Sequence, residues 1–325
     1  MYPRLFEIPL PFDIGGMNEL TVYSYGFMIV VGVLAAAWMA GKELDRLYRS
    51  GRVGPARIPG EGGKQGRTRE ASPSYLMGTL ATLAVVAGFL GARVLFILER
   101  PADFLRRPLG MLFASGGFTF YGGLIVAALA VVWYIRSRGL RVAPFADALA
   151  PGLMLAYGVG RIGCYLAGDG DWGIPADLAL KPDWLPMWLW AETFPGNILG
   201  VDIPAPGVYP TMLYEFAAAA LIAGILWALR RHPYRTGWLF SLYLALSAVE
   251  RFFIEMIRVT KEYDVLGLHP TEAQVIAVVL FGVGVIGLFR LSKRRSDALP
   301  EKHDHSGKHD RPAKHAPPES VSAPT

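Results

Sequence analysis

An arginine lies within a long apolar stretch of this chain, and a glycine-rich segment with two aspartates follows it. Residues 160–164 read Gly-Arg-Ile-Gly-Cys, and Asp169 and Asp171 come directly after the apolar stretch. A guanidinium keeps its charge at any working pH, and an apolar setting makes that charge costly unless an anion accompanies it. Arg161 is therefore a candidate functional residue with an anionic partner.

A second set of charges recurs on one helical face, because Arg251, Glu255 and Arg258 are spaced i, i+4 and i+7. Arg251 and Glu255 can pair directly at this spacing. Two interpretations stay open. The charges either form ion pairs that fix helix packing, with Arg161 bonded to a carboxylate such as Glu255, or Arg161 and Arg251 converge on a lipid phosphate. A guanidinium fork matches phosphate oxygens, and the carboxylates would then orient the arginines.

The elements that must position these charges are membrane spans. Hydrophobic residues make up 53% of the 325 residues and charged residues 18%, and the mean hydropathy is +0.33. We predict an all-α, polytopic integral membrane protein with seven transmembrane helices of roughly 20 residues. The predicted spans cover residues 20–41, 76–98, 117–135, 146–167, 210–229, 236–257 and 270–291.

The distribution of basic residues predicts the orientation. Eight Lys and Arg residues lie in 42–75, and others lie in the short links near 136–141 and 230–235 and after 292, whereas 168–209 has one Lys and six acidic residues. The positive-inside rule then places the N-terminus outside and the C-terminus in the cytoplasm. The same clustering beside apolar segments excludes nucleic acid as a partner, despite a pI of about 9.3.

The domain prediction has two parts. Residues 1–292 form the seven-span domain, with an extracytoplasmic loop region near 168–209 whose tryptophans lie in the membrane interface or contact substrate. Residues 42–75 are predicted to be a flexible cytoplasmic loop. Residues 293–325 are polar and rich in proline, which predicts a disordered cytoplasmic tail.

Several segments of the chain, in order, resemble the phosphatidylglycerol–prolipoprotein diacylglyceryl transferase family. Tyr25-Gly26, Gly91-Ala92-Arg93 and the run from Phe120 to Ile125 match family motifs of the first three spans. Gly160-Arg161-Ile162-Gly163 opens the family signature. The run Tyr209-Pro210-Thr211-Met212-Leu213-Tyr214-Glu215 resembles a His-Pro-Thr-Gln-Leu-Tyr-Glu motif, and Arg251-Phe252-Phe253-Ile254-Glu255 the sixth-span Arg-Phe-x-x-Glu.

The resemblance implies a reaction in which the diacylglyceryl group of phosphatidylglycerol moves to the lipobox cysteine thiol of a prolipoprotein signal sequence. This is the first step of bacterial lipoprotein maturation, in the inner (cytoplasmic) membrane, and it needs no cofactor or metal. The resemblance implies catalytic roles for Arg161, Arg251, Tyr121 and Glu255. The implied substrate-binding residues are Arg161, Arg251, Tyr25, Gly122, Gly123 and Asp169, although the two glycines are equally suited to helix packing.

The chain departs from the family pattern at three positions. Tyr121 replaces the histidine proposed in the family as general base, Cys164 replaces the signature asparagine, and Tyr209 replaces the histidine before proline. A phenol is a poor base at neutral pH. Two other functions therefore stay open: a divergent phosphatidylglycerol-binding member with another acceptor or no transferase activity, and a lipid-handling transporter. Cys164 is more often an inert buried residue than a nucleophile.

Overall fold

The computed structural model describes residues 1–14, 17–59, 68–113, 117–259 and 270–293, and this part is mostly helical. Lys261 and residues 294–325 of the predicted tail lie outside the described residues. Nine α-helices occur within the described ranges: α1 (Ser24–Arg49), α2 (Met77–Leu98), α3 (Pro101–Arg106), α4 (Pro108–Phe113), α5 (Phe120–Ser137), α6 (Val142–Ala167), α7 (Thr211–Leu229), α8 (Trp238–Glu255) and α9 (Glu272–Leu291).

Two β-hairpins correct the expectation of an all-α chain. Strands β1 (Arg4–Ile14) and β2 (Met17–Tyr23) pair antiparallel before α1, and β3 (Ala56–Pro59) pairs antiparallel with β4 (Thr68–Ala71). A 20-residue hydropathy window does not register strands of this length, which is why they escaped prediction. Residues 42–75 are accordingly not a flexible loop throughout: α1 runs to Arg49, and the fully buried Ala56 of β3 joins the core.

Within the described ranges, six helices are long and apolar enough to cross a membrane, so the chain is a polytopic membrane protein. They are Ser24–Arg49, Pro73–Leu98, Phe120–Ser137, Val142–Ala167, Thr211–Leu229 and Glu272–Leu291. Helix α8, predicted as the sixth of seven spans, is not among them because it carries Glu250, Arg251 and Glu255 within 18 residues.

Helix α6 lies at the centre of the bundle and packs closely against α1 through small residues. A Cβ atom added at Gly152 would lie 2.8 Å from the Ala36 Cα, and one at Gly32 would lie 3.1 Å from the Ala156 carbonyl oxygen. Small residues let membrane helices approach until their backbones touch. The helix that carries Arg161 is therefore fixed along its length against the first span.

Helices α8 and α9 form an antiparallel pair. A Cβ at Gly284 would lie 2.7 Å from the Ala245 nitrogen, and the Trp238 indole donates to the Ser292 hydroxyl at 3.2 Å. The start of α8 thus lies beside the end of α9. Since α8 also packs against α6 and α7, its charged face is directed toward the helix that bears Arg161.

The loop from 168 to 209 covers the end of the bundle where α6 finishes and α7 begins. Its own core contains Phe194, which is fully buried and packs on Trp172 with ring centroids 5.2 Å apart. The Gly173 amide donates to the Tyr209 carbonyl at 2.8 Å, and the Ile174 amide donates to the Ile257 carbonyl at 2.9 Å. These bonds tie the loop to the chain before α7 and after α8.

Candidate active site

Arg161 lies in the last two turns of α6, and its side chain is 15% exposed. Its Nε is 2.7 Å from Oε2 of Glu215, and its Nη1 pairs with the Asp171 carboxylate. The guanidinium also lies over the Tyr157 ring, 5.1 Å from the centroid. The anionic partner predicted for Arg161 is therefore present, but it is Glu215 and Asp171 rather than Glu255.

Glu215 joins the arginines of two helices. It lies one turn into α7, its side chain is fully buried, and its Oε1 is 3.1 Å from Nη1 of Arg251 and 3.8 Å from Nη1 of Arg258. A buried carboxylate needs compensating positive charge, and three guanidinium groups provide it here. Arg161 and Arg251 consequently meet on the two oxygens of one carboxylate, so the structure brings the two predicted arginines together.

The charged face of α8 has the predicted internal pairing. Nη2 of Arg251 is 3.3 Å from Oε2 of Glu255, and Nη1 of Arg258 is 4.0 Å from the same oxygen. The Glu255 side chain is fully buried, and neither of its oxygens makes a hydrogen bond with acceptable geometry among the described residues. Glu255 therefore contributes charge close to both arginines and keeps hydrogen-bonding capacity.

Asp171 is the bridge between α6 and the segment after α8. One of its oxygens pairs with Nη1 of Arg161 and the other with Nη2 of Arg258. Its backbone is fixed because the buried Thr211 hydroxyl donates to the Asp171 carbonyl at 2.7 Å. The sequence identified Arg258 as part of a charged face and Asp171 as one of two aspartates after the apolar stretch, but it assigned neither a site role.

Asp169, which the family resemblance implies as a substrate-binding residue, lies beside that contact. Its Oδ1 accepts from the Asp171 amide at 3.3 Å, and it also hydrogen-bonds Cys164. Burial raises the pKa of the Asp169 carboxyl above its ordinary value, the Cys164 bond opposes that shift, and the Asp171 carboxylate adds to it. Orientation of Arg161 thus falls to Asp171, two residues further on.

Cys164 is buried and accepts a weak contact from Nη1 of Arg161 at 3.8 Å. One ligand atom each from Cys164, Asp169 and Asp171 lies within 4.8 Å of the others, a spacing that could hold a cation. Both Asp171 oxygens are already paired with guanidinium groups. The positive charge of two arginines disfavours a metal at this position.

The two predicted tyrosines lie near different members of the arginine cluster. Tyr25, near the start of α1, interacts electrostatically with Asp169 and Arg161. Tyr121, near the start of α5, interacts electrostatically with Arg251 and Glu255. Both side chains retain some exposure, so each is accessible at the edge of the cluster.

Gly122 and Gly123 lie in the contact between α5 and α2. A Cβ at Gly122 would lie 2.5 Å from the Gly91 carbonyl oxygen, and one at Gly123 would lie 3.0 Å from that of Gly88. Helix packing therefore accounts for both glycines, and their predicted contact with substrate stays a prediction.

Two residues from the family-like motifs are directed away from the cluster. Tyr209 accepts the Asp177 amide on its hydroxyl at 3.1 Å and packs on Trp190, so it belongs to the loop. Arg93 donates to the carbonyls of Leu112 and Gly117, at 3.3 and 2.9 Å. Both residues thus organise segments at the ends of helices.

Glu250, inside the predicted span 236–257, is a further buried charge that the sequence analysis did not single out. Glu250 is 8% exposed, and the Tyr157 hydroxyl donates to its Oε1 at 3.4 Å. Tyr157 lies four residues before Arg161 on α6, so a helical-face comparison of the two spans could have identified this contact.

The site as a whole is a half-buried group of three guanidiniums and three carboxylates at one end of the bundle. Preplaced guanidinium groups in a low-dielectric site can hold an anion and stabilise negative charge that develops on it. The bundle surrounds them with apolar helices, so a lipid anion is a fitting ligand.

Comparison with known proteins identifies the family of this chain. The family model described as prolipoprotein diacylglyceryl transferase matches residues 11–290. Three relatives carry the name phosphatidylglycerol–prolipoprotein diacylglyceryl transferase. The protein of Corynebacterium efficiens is 28% identical over 86% of this chain and 80% of its own length. The protein of Clostridium tetani is 26% identical over 88% of this chain and 99% of its own length. The protein of Symbiobacterium thermophilum is 29% identical over 90% of this chain and 96% of its own length.

Proposed function

The chain belongs to the prolipoprotein diacylglyceryl transferase family, and we propose that its arginine cluster binds the lipid substrate. The protein is a transferase of lipoprotein maturation: it moves the diacylglyceryl group of phosphatidylglycerol to a prolipoprotein. The acceptor is the cysteine thiol of the lipobox in the signal sequence, and the enzyme works in the bacterial inner membrane.

Helix α8 is the seventh span in this proposal. It runs antiparallel to the apolar α9, with Trp238 beside Ser292 and Gly284 against Ala245, so it crosses the same depth of membrane. Its charges are tolerated because Arg251 and Glu255 face the bundle interior and pair there. Seven spans place the N-terminus outside, the C-terminus in the cytoplasm, and the arginine cluster near the outer surface.

The shared contact of Arg161 and Arg251 with Glu215 is the observation that carries the proposal. Two guanidinium groups repel each other, and the buried Glu215 holds them together from one side. Their remaining N–H groups can then donate to the phosphate of phosphatidylglycerol. Tyr25 and Asp169 border the same cluster and support the headgroup.

The reaction requires the thiol to lose its proton and the resulting thiolate to attack the diacylglyceryl carbon that bears the phosphate ester. A carbon–sulfur bond forms, the carbon–oxygen bond to the phosphate breaks, and glycerol phosphate leaves. Its growing negative charge is stabilised by Arg161 and Arg251. The thiol proton is taken up by the departing glycerol phosphate, and Tyr121, near Arg251 and Glu255, is placed to relay it.

The test is transfer of diacylglyceryl from phosphatidylglycerol to a lipobox peptide in detergent. Arg161→Ala and Arg251→Ala are each expected to lower kcat/KM by about 10²- to 10³-fold, the range seen when one stabilising donor is lost. Arg161→Lys keeps the positive charge but lacks the two-pronged guanidinium geometry, so we expect a smaller decrease in kcat/KM than for Arg161→Ala. Arg138→Ala, an exposed arginine at the end of α5, is the control.

Full transfer by both alanine variants would contradict the proposed role of the cluster. If the unmodified protein binds the lipid but transfers nothing, the alternative of a divergent family member with another acceptor or no transferase activity is favoured. In that case Tyr121 does not take over the role of the general base.

A further inference from the structure

Arg161 and Arg258 direct one terminal nitrogen each to opposite oxygens of a single carboxylate, that of Asp171. The two arginines come from α6 and from the segment after α8. The Asp171 carboxylate, a small anionic group with two oxygens, spans the gap between them. A phosphodiester also presents two free oxygens, and guanidinium groups bind phosphate and carboxylate with similar geometry.

The carboxylates of the cluster differ in burial. The side chains of Glu215 and Glu255 are fully buried, whereas that of Asp171 is 33% exposed. A buried carboxylate loses several kcal/mol when its partners leave, but a partly exposed one exchanges them for water at a small cost. Asp171 is therefore the carboxylate of the three that an incoming anion can displace.

The charges also match a singly charged ligand. Three arginines of the cluster contact Asp171, Glu215 and Glu255 within 4.0 Å. If the Asp171 side chain turns to solvent, the three arginines and the two buried glutamates keep one net positive charge. A phosphodiester carries one negative charge at neutral pH, so the exchange leaves the buried group neutral.

The loop geometry allows such a rotation without unfolding. The Asp171 backbone stays fixed because Thr211 Oγ1 donates to its carbonyl at 2.7 Å and Asp169 accepts its amide at 3.3 Å. Only the torsions of the side chain have to change, and staggered alternatives are separated by small energies. The side chain can thus leave the two arginines while the loop remains in place.

We propose that Arg161 and Arg258 form the subsite for the phosphodiester of an anionic phospholipid, and that Asp171 is an internal competitor for it. This inference rests on the proposed function and adds Arg258 as a third guanidinium at the lipid phosphate. Arg251 faces the same anion from the side of Glu215 and Glu255. Asp171 holds the two arginines apart and oriented until the lipid replaces it.

Equilibrium binding of short-chain phosphatidylglycerol, measured by calorimetry in detergent without an acceptor peptide, tests the inference. Asp171→Asn removes the competing charge and is expected to lower Kd by roughly two- to fivefold, the upper part of the range for a partly exposed ion pair. Arg258→Ala is expected to raise Kd, and in that background the effect of Asp171→Asn should shrink. Asp202→Asn, an exposed acid of the same loop, is the control.

An unchanged or higher Kd for a folded Asp171→Asn protein would overturn the inference, because an acid that only orients Arg161 would weaken binding when it is lost. If Arg258→Ala does not fold, Arg258→Lys replaces it in the binding experiment. An unchanged Kd in whichever Arg258 variant folds would also overturn the inference. Since no acceptor is present, the binding result stands apart from the transfer reaction. A transfer assay that fails while Kd falls would therefore contradict the proposed function alone.

Discussion

At the scale of single residues, Glu215 shows how a charge in an apolar helix acquires its role. The sequence around it is apolar, and the carboxylate could have satisfied any nearby helix end. It contacts Arg161 and Arg251 closely and Arg258 more distantly, at 2.7, 3.1 and 3.8 Å. Glu215 is the carboxylate that all three arginines share, and it offsets their mutual repulsion, so the group acts as a unit rather than as independent pairs.

His232 gives a pH prediction at the same scale. It lies in the link between α7 and α8, where burial and then Arg52 and Arg46 lower the pKa of the imidazole from 6.5 to about 4. Glu43, Asp147, Arg230 and Tyr234 border the same site. The Tyr234 amide donates to Nδ1 at 3.2 Å, a bond that requires this nitrogen to be unprotonated.

Between pH 4 and 6.5 the unfolded chain binds a proton at His232 and the folded chain does not, so stability falls as the pH decreases through this window. His232→Asn keeps an acceptor near the Tyr234 amide and cannot be protonated. We expect a smaller loss of thermal stability from pH 7.5 to pH 4.5 for this variant than for the unmodified protein, measured in detergent. Equal losses in the two proteins would contradict the assignment.

At the scale of elements, the close contact between α2 and α5 depends on glycine. A Cβ at Gly122 would lie 2.5 Å from both the Gly91 carbonyl oxygen and the Leu95 Cβ, and a shift of α5 to relieve this clash would move the adjacent Tyr121. Helix α5 thus delivers Tyr121 to the cluster through its packing on α2.

Gly122→Ala is expected to destabilise the protein by about 1–3 kcal/mol, the usual cost of overpacking. The matched control is Gly224→Ala in α7, where an added Cβ meets no atom within 4 Å and alanine favours the helix. Thermal unfolding in detergent measures both. A Gly122→Ala protein as stable as the control would contradict the close packing of α2 on α5.

At the scale of the whole molecule, the number of spans decides on which side of the membrane the cluster opens. Among the described residues, six helices satisfy the criteria of length and composition. In our proposal α8, which lies antiparallel to α9, is a seventh span. With the seven spans that we propose, the two termini would lie on opposite sides of the membrane and the 168–209 loop outside.

Cysteine labelling in intact cells tests this topology. The single natural cysteine, Cys164, is 5% exposed, so the unmodified protein provides the background. Asp183→Cys, in the 168–209 loop, is expected to react with a membrane-impermeant maleimide, whereas Ser137→Cys and Ser292→Cys react only after the cells are opened. Labelling of Ser292→Cys from outside would show that α8 does not span.

The sequence by itself determined the membrane class, the approximate positions of the helices and the pairing of Arg251 with Glu255. These follow from local properties, since hydropathy over one span and the 3.6-residue period need no knowledge of the neighbours. The apolar segments were recognisable for the same reason, whereas the β1–β2 and β3–β4 hairpins were too short for a hydropathy window.

Only the tertiary structure decided which carboxylate each arginine contacts. Glu215 lies 54 residues from Arg161 in the sequence, and Asp171 rather than Asp169 reaches Arg161 because Thr211 fixes the Asp171 backbone. A charge in a span requires a partner, but its identity depends on which helices lie side by side and how a loop closes over them. That arrangement comes from long-range packing, such as Gly152 on Ala36, which no local pattern encodes.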